Sequence, residues 1–291
     1  MLFKEVYSII CRRKVVTPME YKIIASDLDG TLLTLDHTVS EKNHQAIEAL
    51  QQKGILFVPA SGRALREFPV EILEDPLYRY YIVSNGAAIY DKATGQMEEF
   101  ALTLEISREV LDLLYSYDVF LSVHAGERSY CEITTHQEPH YRGFHMNDYW
   151  VSFALGKFTP IPEMKQFAYT QPTLQSIVPF FRNMEDKEAC RAILEKDTRL
   201  SVAETDHHNL EIFSAAAGKG QALLHLANRL NIPREATIAV GDNINDSSMI
   251  LAAGLGLAVE NAAPLLKEQA DEVICHFQEH SARYILEHYF K

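Results

Sequence analysis

Four short apolar runs recur along the chain, and each stops abruptly in a cluster of polar residues. Ile23-Ile24-Ala25 leads into Ser26-Asp27-Leu28-Asp29-Gly30-Thr31, and Ile55 to Val58 leads into Pro59-Ala60-Ser61-Gly62-Arg63. Tyr81-Ile82-Val83 leads into Ser84-Asn85-Gly86, and Thr237 to Val240 leads into Gly241-Asp242-Asn243-Ile244-Asn245-Asp246. Runs this short and continuous predict strands buried on both faces of a parallel sheet. Pro59 has no N–H to give to a ladder, so it belongs at the end of its strand. Helical patterns separate the runs. Ser40 is placed to cap a helix carrying Ala46, Ile47, Ala49 and Leu50, with Gly54 beyond its end. A second helix is predicted from about Lys219 to Leu230, with Leu223, Leu224, Leu226 and Ala227 toward one side and Pro233 after it. Strand–helix alternation of this kind predicts a doubly wound α/β domain, whose functional groups gather at the carboxyl ends of the strands. All four polar clusters fall there.

Between Asn85 and about Asn209 the pattern changes. Helices are predicted over 105–118 and 186–196, and strands over 119–124, 129–134 and 173–181, in a stretch rich in aromatic residues and histidine. This reads as an inserted α+β domain over residues 91–205, with the α/β core built from 19–90 and 206–291. Residues 1–18 read as an N-terminal extension. Their apolar stretch, Val6 to Ile10, is short and precedes Arg12, Arg13 and Lys14, whereas a secretory signal puts its charges first. Met19 is the expected natural start.

The chain has 291 residues, and its 27 basic and 40 acidic side chains give a formal net charge of -13. That balance argues against nucleic acid or an anionic membrane as partner. An anionic substrate would then need positive charge supplied locally, as a divalent cation supplies it. Cys11, Cys131, Cys190 and Cys275 are scattered without any C-x-x-C spacing, which fits reduced thiols and a cytoplasmic location. No apolar run approaches the ~20 residues that a membrane-spanning helix needs.

The Asp27-Leu28-Asp29 pair carries the first candidate chemistry. If the strand continues, residues i and i+2 point the same way and both carboxylates face one cleft. If the chain turns instead, the Asp29 backbone carbonyl swings toward a cation bound by Asp27. One nucleophilic and one proton-donating carboxylate are what phosphoester cleavage through a covalent intermediate requires. Alone, the pair would read equally well as a turn before a helix. Asp242 and Asp246 add carboxylates at another strand end, a density of hard oxygen ligands that suits Mg²⁺. Lys219, between Gly218 and Gly220 at a helix start, is either a solvated loop lysine or a partner for phosphate. Ser61 is a turn residue or a hydroxyl donor to a phosphate oxygen. His124, His136, His140, His145, His207 and His208 have no spacing of the H-E-x-x-H kind, and surface or substrate-facing roles are expected of them. Trp150 and the tyrosines near it are expected in the core of the insertion.

Together, the strings DLDGTLL, ASGR, AGKG and GDNIND, in that order, resemble the four motifs of the haloacid dehalogenase superfamily. The SNGA string and the long insertion resemble its Cof-type sugar-phosphatase branch with a C2B cap. The resemblance covers essentially all of the chain from about Met19 onward. It implies a Mg²⁺-dependent phosphatase acting on a small phosphorylated metabolite. Asp27 would be the nucleophile and Asp29 the acid and then the base. Mg²⁺ would be held by the Asp27 carboxylate, the Asp29 carbonyl and Asp242, with Asp246 behind them. Ser61 and Lys219 would hold phosphoryl oxygens; Gly62, Arg63, Asn85, Gly86 and Asn245 would contact substrate. Ser61 stands where Thr is commoner in this branch, but the hydroxyl is kept. Asp29 disfavours dehalogenation, which has no alkoxide to protonate. The remaining alternatives are a phosphomutase of the phosphomannomutase type and a binding protein for a phosphorylated ligand without turnover.

Overall fold

The computed structural model describes residues 20–290. The expected extension over residues 1–18, with Met19 and Cys11, lies outside the described residues.

The chain starts in β1 (Ile23–Ser26), buried along its whole length, and crosses through α1 (Glu41–Gln52) to β2 (Leu56–Pro59). Ser40 caps α1 by accepting the Asn43 amide at 3.2 Å, and Gly54 adopts φ 77° just past its end. After α2 (Val70–Glu74) come β3 (Tyr80–Val83), β4 (Ala88–Asp91) and β5 (Gln96–Glu99). The middle of the chain holds β6 (Leu102–Thr103), α3 (Leu104–Leu114), β7 (Val119–Ala125) and β8 (Arg128–Glu132). It continues through α4 (Glu138–Gly143), α5 (Asp148–Lys157), β9 (Thr159–Ile161) and α6 (Met164–Thr170). Next are β10 (Thr173–Leu174), β11 (Ser176–Phe181), α7 (Met184–Leu194), β12 (Leu200–Ala203) and β13 (Glu211–Ser214). The last stretch is α8 (Lys219–Arg229), β14 (Thr237–Gly241), α9 (Ser247–Ala252), β15 (Leu255–Ala258), α10 (Pro264–Gln269), β16 (Glu272–Val273) and α11 (Ser281–Tyr289).

Two sheets organise the molecule. The first is parallel throughout, in the order β16-β15-β14-β1-β2. Ile23, Ile24, Ala25, Ile238 and Ala239 at its centre are sealed from solvent, as helices on both faces require. The fold class is therefore α/β, with a parallel sheet between helices. One strand departs from the sequence pattern. The run Tyr81 to Val83 is not a member of this ladder: β3 pairs antiparallel with β4, and β4 with β5. A single parallel bridge, Ala60 to Ile82, ties it to β2. A continuous apolar run records burial on two faces, not strand direction, and the tight Ser84–Gly86 turn sends the chain straight back.

The second sheet runs β12-β13-β11-β7-β8-β9 and is antiparallel except between β8 and β9. Side chains alternate across it. Leu121, Val123 and Ala125 face one core with Ile177 and Phe181, while Phe120 faces another with Val178, Phe180 and residues of α4 and α5. The predicted strand over 173–181 is broken into β10, paired with β6, and β11. The parallel sheet has its own core, which includes Ala88 and Ile89 and has Tyr90, Met97 and Phe100 packed against it; the second sheet's core begins at Leu102 and extends to Ile212. Among the described residues no helix is long and apolar enough to cross a membrane.

Candidate active site

β1, β2 and β14 all deliver their polar ends to the same edge of the parallel sheet. The Asp27 amide still bonds to the Val240 carbonyl at 3.0 Å, and then the chain turns. The amides of Thr31, Leu32 and Leu33 all converge on the Leu28 carbonyl, at 3.3, 3.0 and 2.9 Å. Of the two arrangements open to the Asp27–Asp29 pair, the turn is the one adopted. At the end of β14, Asp246 folds back so that its Oδ2 accepts the amides of Asp242 (3.0 Å) and Asn243 (3.1 Å). Lys219, the first residue of α8, is wholly buried and donates to Asp27 Oδ1 at 2.5 Å and Asp246 Oδ1 at 2.6 Å. Asp242 Oδ1 accepts the Thr31 hydroxyl at 3.0 Å.

Counting partners shows what this knot lacks. Both oxygens of Asp246 are engaged, whereas the second oxygens of Asp27 and Asp242 receive no hydrogen bond among the described residues. One oxygen from each of Asp27, Asp242 and Asp246 lies within 4.8 Å of the others. Burial, then Asp246, pushes the Asp27 carboxyl well above the usual carboxylate range despite Lys219, and the same two causes lift Asp242 to about 6. Burial alone would lower the Lys219 pKa, but Asp246 and Asp27 outweigh it and raise the ammonium above its ordinary value. Three carboxylates share a single buried cation, so the site has room for more positive charge. Gly30, at φ 79°, keeps the approach open, because a Cβ there would lie 2.6 Å from Asp242 Oδ2.

Asp27 and Asp242 open onto a cavity of about 320 Å³ between the two sheets, and Asp29, Ser61, Gly62, Arg63 and Asn245 line it as well. The Ser61 hydroxyl oxygen accepts the Arg63 amide at 3.2 Å, which leaves its proton free. Arg63 grips both oxygens of Asp29, with Nε at 2.9 Å and Nη2 at 2.6 Å, and His37 Nδ1 stands 3.2 Å from Oδ1. Arg63 also reaches across the cavity, where Tyr149 Oη is 3.4 Å from Nη2 and the Phe153 ring centre 5.3 Å from its guanidinium carbon. Lys219 and Asp246 stand behind this surface.

Two of the residues expected to contact substrate are placed differently. Gly86 is packed against the backbone at the start of α8; with φ 86°, it has no room for a Cβ against the Gly218 carbonyl. Asn85 (φ 54°) gives its amide to Glu211 and accepts from Asn245 Nδ2 at 3.2 Å, so its side chain braces the site from the side. Glu211 itself was not singled out from the sequence. It lines the cavity, buried, and accepts the Thr205 hydroxyl at 2.8 Å; burial raises its pKa. A glutamate in the otherwise apolar string Leu210-Glu211-Ile212-Phe213 is the signal that could have found it. From α5, Tyr149, Trp150 and Phe153 form an aromatic wall of the cavity. The histidines disperse: His136 Nδ1 lies 2.5 Å from the Tyr141 hydroxyl, His145 stacks on His208, and His124 alone of the insertion's histidines lines the cavity.

The family described as haloacid dehalogenase-like hydrolase matches residues 24–286. The chain is 32% identical to the phosphatase YwpJ of Bacillus subtilis (strain 168), over 92% of this chain and 99% of that protein. It is 28% identical to the 5-amino-6-(5-phospho-D-ribitylamino)uracil phosphatase YwtE of the same organism, over 91% and 97% of the two chains. A solved haloacid dehalogenase-like hydrolase from B. subtilis superposes with TM-score 0.76 at 32% identity, covering 92% of this chain and 99% of that one. The subclass IIB sugar phosphatase BT4131 shares the fold with TM-score 0.76 at 19% identity, over 92% and 98% of the two chains.

Proposed function

This chain belongs to the haloacid dehalogenase-like hydrolases, in the Cof-type branch, and is a phosphoric monoester hydrolase; on that premise we propose that it hydrolyses a small phosphorylated metabolite through an aspartyl phosphate on Asp27. The observation that carries the reading is the carboxylate knot. Asp27 has one oxygen fixed by Lys219 and one without a donor, facing the cavity. That free oxygen attacks phosphorus, and the bond from phosphorus to the leaving oxygen breaks. Asp29, turned away from Arg63 and acting as the carboxylic acid, gives the leaving oxygen its proton and is left as the carboxylate. It then takes a proton from the water that attacks the phosphoaspartate, whose P–O bond to Asp27 breaks to release inorganic phosphate. Ser61 donates its free hydroxyl proton to a phosphoryl oxygen, and Lys219 supports the developing charge through Asp27.

The donor set fits Mg²⁺. The carboxylates of Asp27 and Asp242, which come within 4.8 Å of each other, are hard ligands whose raised pKa values mark a deficit of positive charge, and the Asp29 carbonyl would be the third ligand. When bound, the cation draws charge from the phosphoryl oxygens. Asp246 orients Lys219 and the Asp242 loop.

The body built on the second sheet is assigned as a C2B-type cap that excludes water and selects the leaving group. Its junctions are placed after Phe100 and before Lys219, later at both ends than 91 and 206, because the β4–β5 hairpin packs on the first core and Ile212 on the second. A phosphate-release screen over phosphorylated metabolites with Mg²⁺ tests the whole reading, with Asp27→Asn as blank. Turnover should fall by at least about 10⁴-fold in the variant. Isomerisation without free phosphate would favour a mutase, and equal rates in Asp27→Asn would remove Asp27 from the chemistry.

A further inference from the structure

The floor of the cavity carries neutral polar groups, and the protein fixes the hydrogen-bonding sense of one of them. Gln175 is wholly buried, and one end of its amide lies 2.7 Å from the Gly126 carbonyl and 2.8 Å from Glu99 Oε1. A carbonyl oxygen only accepts, so that end of the amide is the nitrogen. The other end, Oε1, therefore faces the Ser84 hydroxyl at 2.9 Å, and Ser84 must spend its single proton there. Ser84 Oγ also lies 3.1 Å from His124 Nδ1. With its proton committed, Ser84 can only accept from the ring, so Nδ1 carries the hydrogen. Burial pushes the His124 pKa down to about 4, so the ring holds only that one proton at neutral pH. Nε2 is left as a bare acceptor. It has no hydrogen-bond partner among the described residues, and the ring lines the cavity.

The aromatic rings of Trp150, Phe153, Phe158 and Phe180 line the same cavity.

Resting on the phosphatase reading of this cavity, we propose that His124 reads the leaving group: its Nε2 accepts a hydrogen bond from a hydroxyl or amino group on a neutral ring that lies along the aromatic wall. Ser84 and Gln175 are positioning residues. Their relay joins the turn after β3 to Gly126 and Glu99, so the sense of His124 is set only when the two bodies are packed together.

The test compares kcat/KM for paired esters that differ in one donor: 3-hydroxybenzyl against 3-methylbenzyl phosphate, and 3-hydroxyphenyl against 3-methylphenyl phosphate. Wild-type protein with Mg²⁺ should prefer the hydroxylated member of at least one pair by about tenfold or more. His124→Phe should bring that ratio to near one, whereas His124→Gln, whose amide oxygen reaches the place of Nε2, should restore part of it. Ser84→Ala should lower the ratio as well. A purely structural role would depress both members equally and leave the ratio alone. No preference in the wild type, or a wild-type ratio in His124→Phe, overturns the proposal even while acetyl phosphate is hydrolysed. Inert esters together with inert acetyl phosphate would sink the phosphatase reading, and this inference with it.

Discussion

The two walls of the cavity are built on opposite principles. On the side of the parallel sheet, Asp27, Asp246 and Lys219 are packed out of water and locked to one another, and the half-buried Asp242 is held beside them by the Thr31 hydroxyl and the Asp246 turn. On the side of the second sheet, α5 and β7 present uncharged, loosely committed groups, aromatic rings and a bare imidazole nitrogen, beside the carboxylates of Asp206 and Glu211. A phosphoryl group always presents the same charge and shape, so the wall that meets it can be rigid and costly. Leaving groups differ in shape and hydrogen bonding, and a wall of separate neutral contacts changes one residue at a time without breaking an ion pair. The comparison teaches that reaction and selectivity are held by different forces on the two sides.

The charged wall should be the more fragile. Lys219→Met leaves Asp27 and Asp246 buried without their shared cation, so phosphate release should fall by about 10²- to 10³-fold. Folding stability in urea should drop by about 3–5 kcal/mol. A stable, active variant would show that the knot is not what holds these carboxylates together.

Glu67 tests the seam between the walls. Burial pushes its carboxyl up to about 7, against the opposing pull of the nearby Ser129 hydroxyl, of the Ala64 amide it accepts and of the Arg63 and Lys157 charges. The folded state thus holds a proton that the unfolded chain gives up in the ordinary glutamate range. The stability this contributes is complete below that range and is lost as pH rises through about 7. Glu67→Gln stays neutral throughout, so it should match the wild type near pH 4 and exceed it by about 1–3 kcal/mol at pH 8. Urea melts at several pH values would show this, and parallel curves would refute it.

The neutral wall should give the smallest effect. Phe153→Ala removes a ring that meets both Arg63 and Trp150. Its kcat/KM on ring-bearing esters should fall by about tenfold, mostly through KM, with a smaller loss on acetyl phosphate. Equal losses on both would mean that this wall supports the chemistry itself and does not merely sort substrates.

Much of the charged wall is legible along the chain. Asp27, Ser61 and Asp242 each follow an apolar run directly, and in an α/β sheet such ends meet at one edge. Lys219 is marked by its flanking glycines and by the helix that follows. Glu211 is marked only as a glutamate in an apolar string; its contact with Asn85, the Arg63 hold on Asp29 and the His124 relay were not legible, because the partners lie far apart in sequence: Asn85 is 126 residues from Glu211, and Ser84 is 91 from Gln175.

The amino-acid sequence determined which segments are buried strands, where each one stops and which chemical groups stand at those stops. These are short-range properties: hydrophobic periodicity and the conformational limits of Gly, Pro and Asp act within a few residues. Only the tertiary structure decided that Tyr81–Val83 turns back antiparallel, that Asn85 braces Glu211, that Gly86 makes room for the start of α8, and that His124 offers a lone pair. Hydrogen-bond sense passes from partner to partner through space, so it has no value until the chain has closed around it.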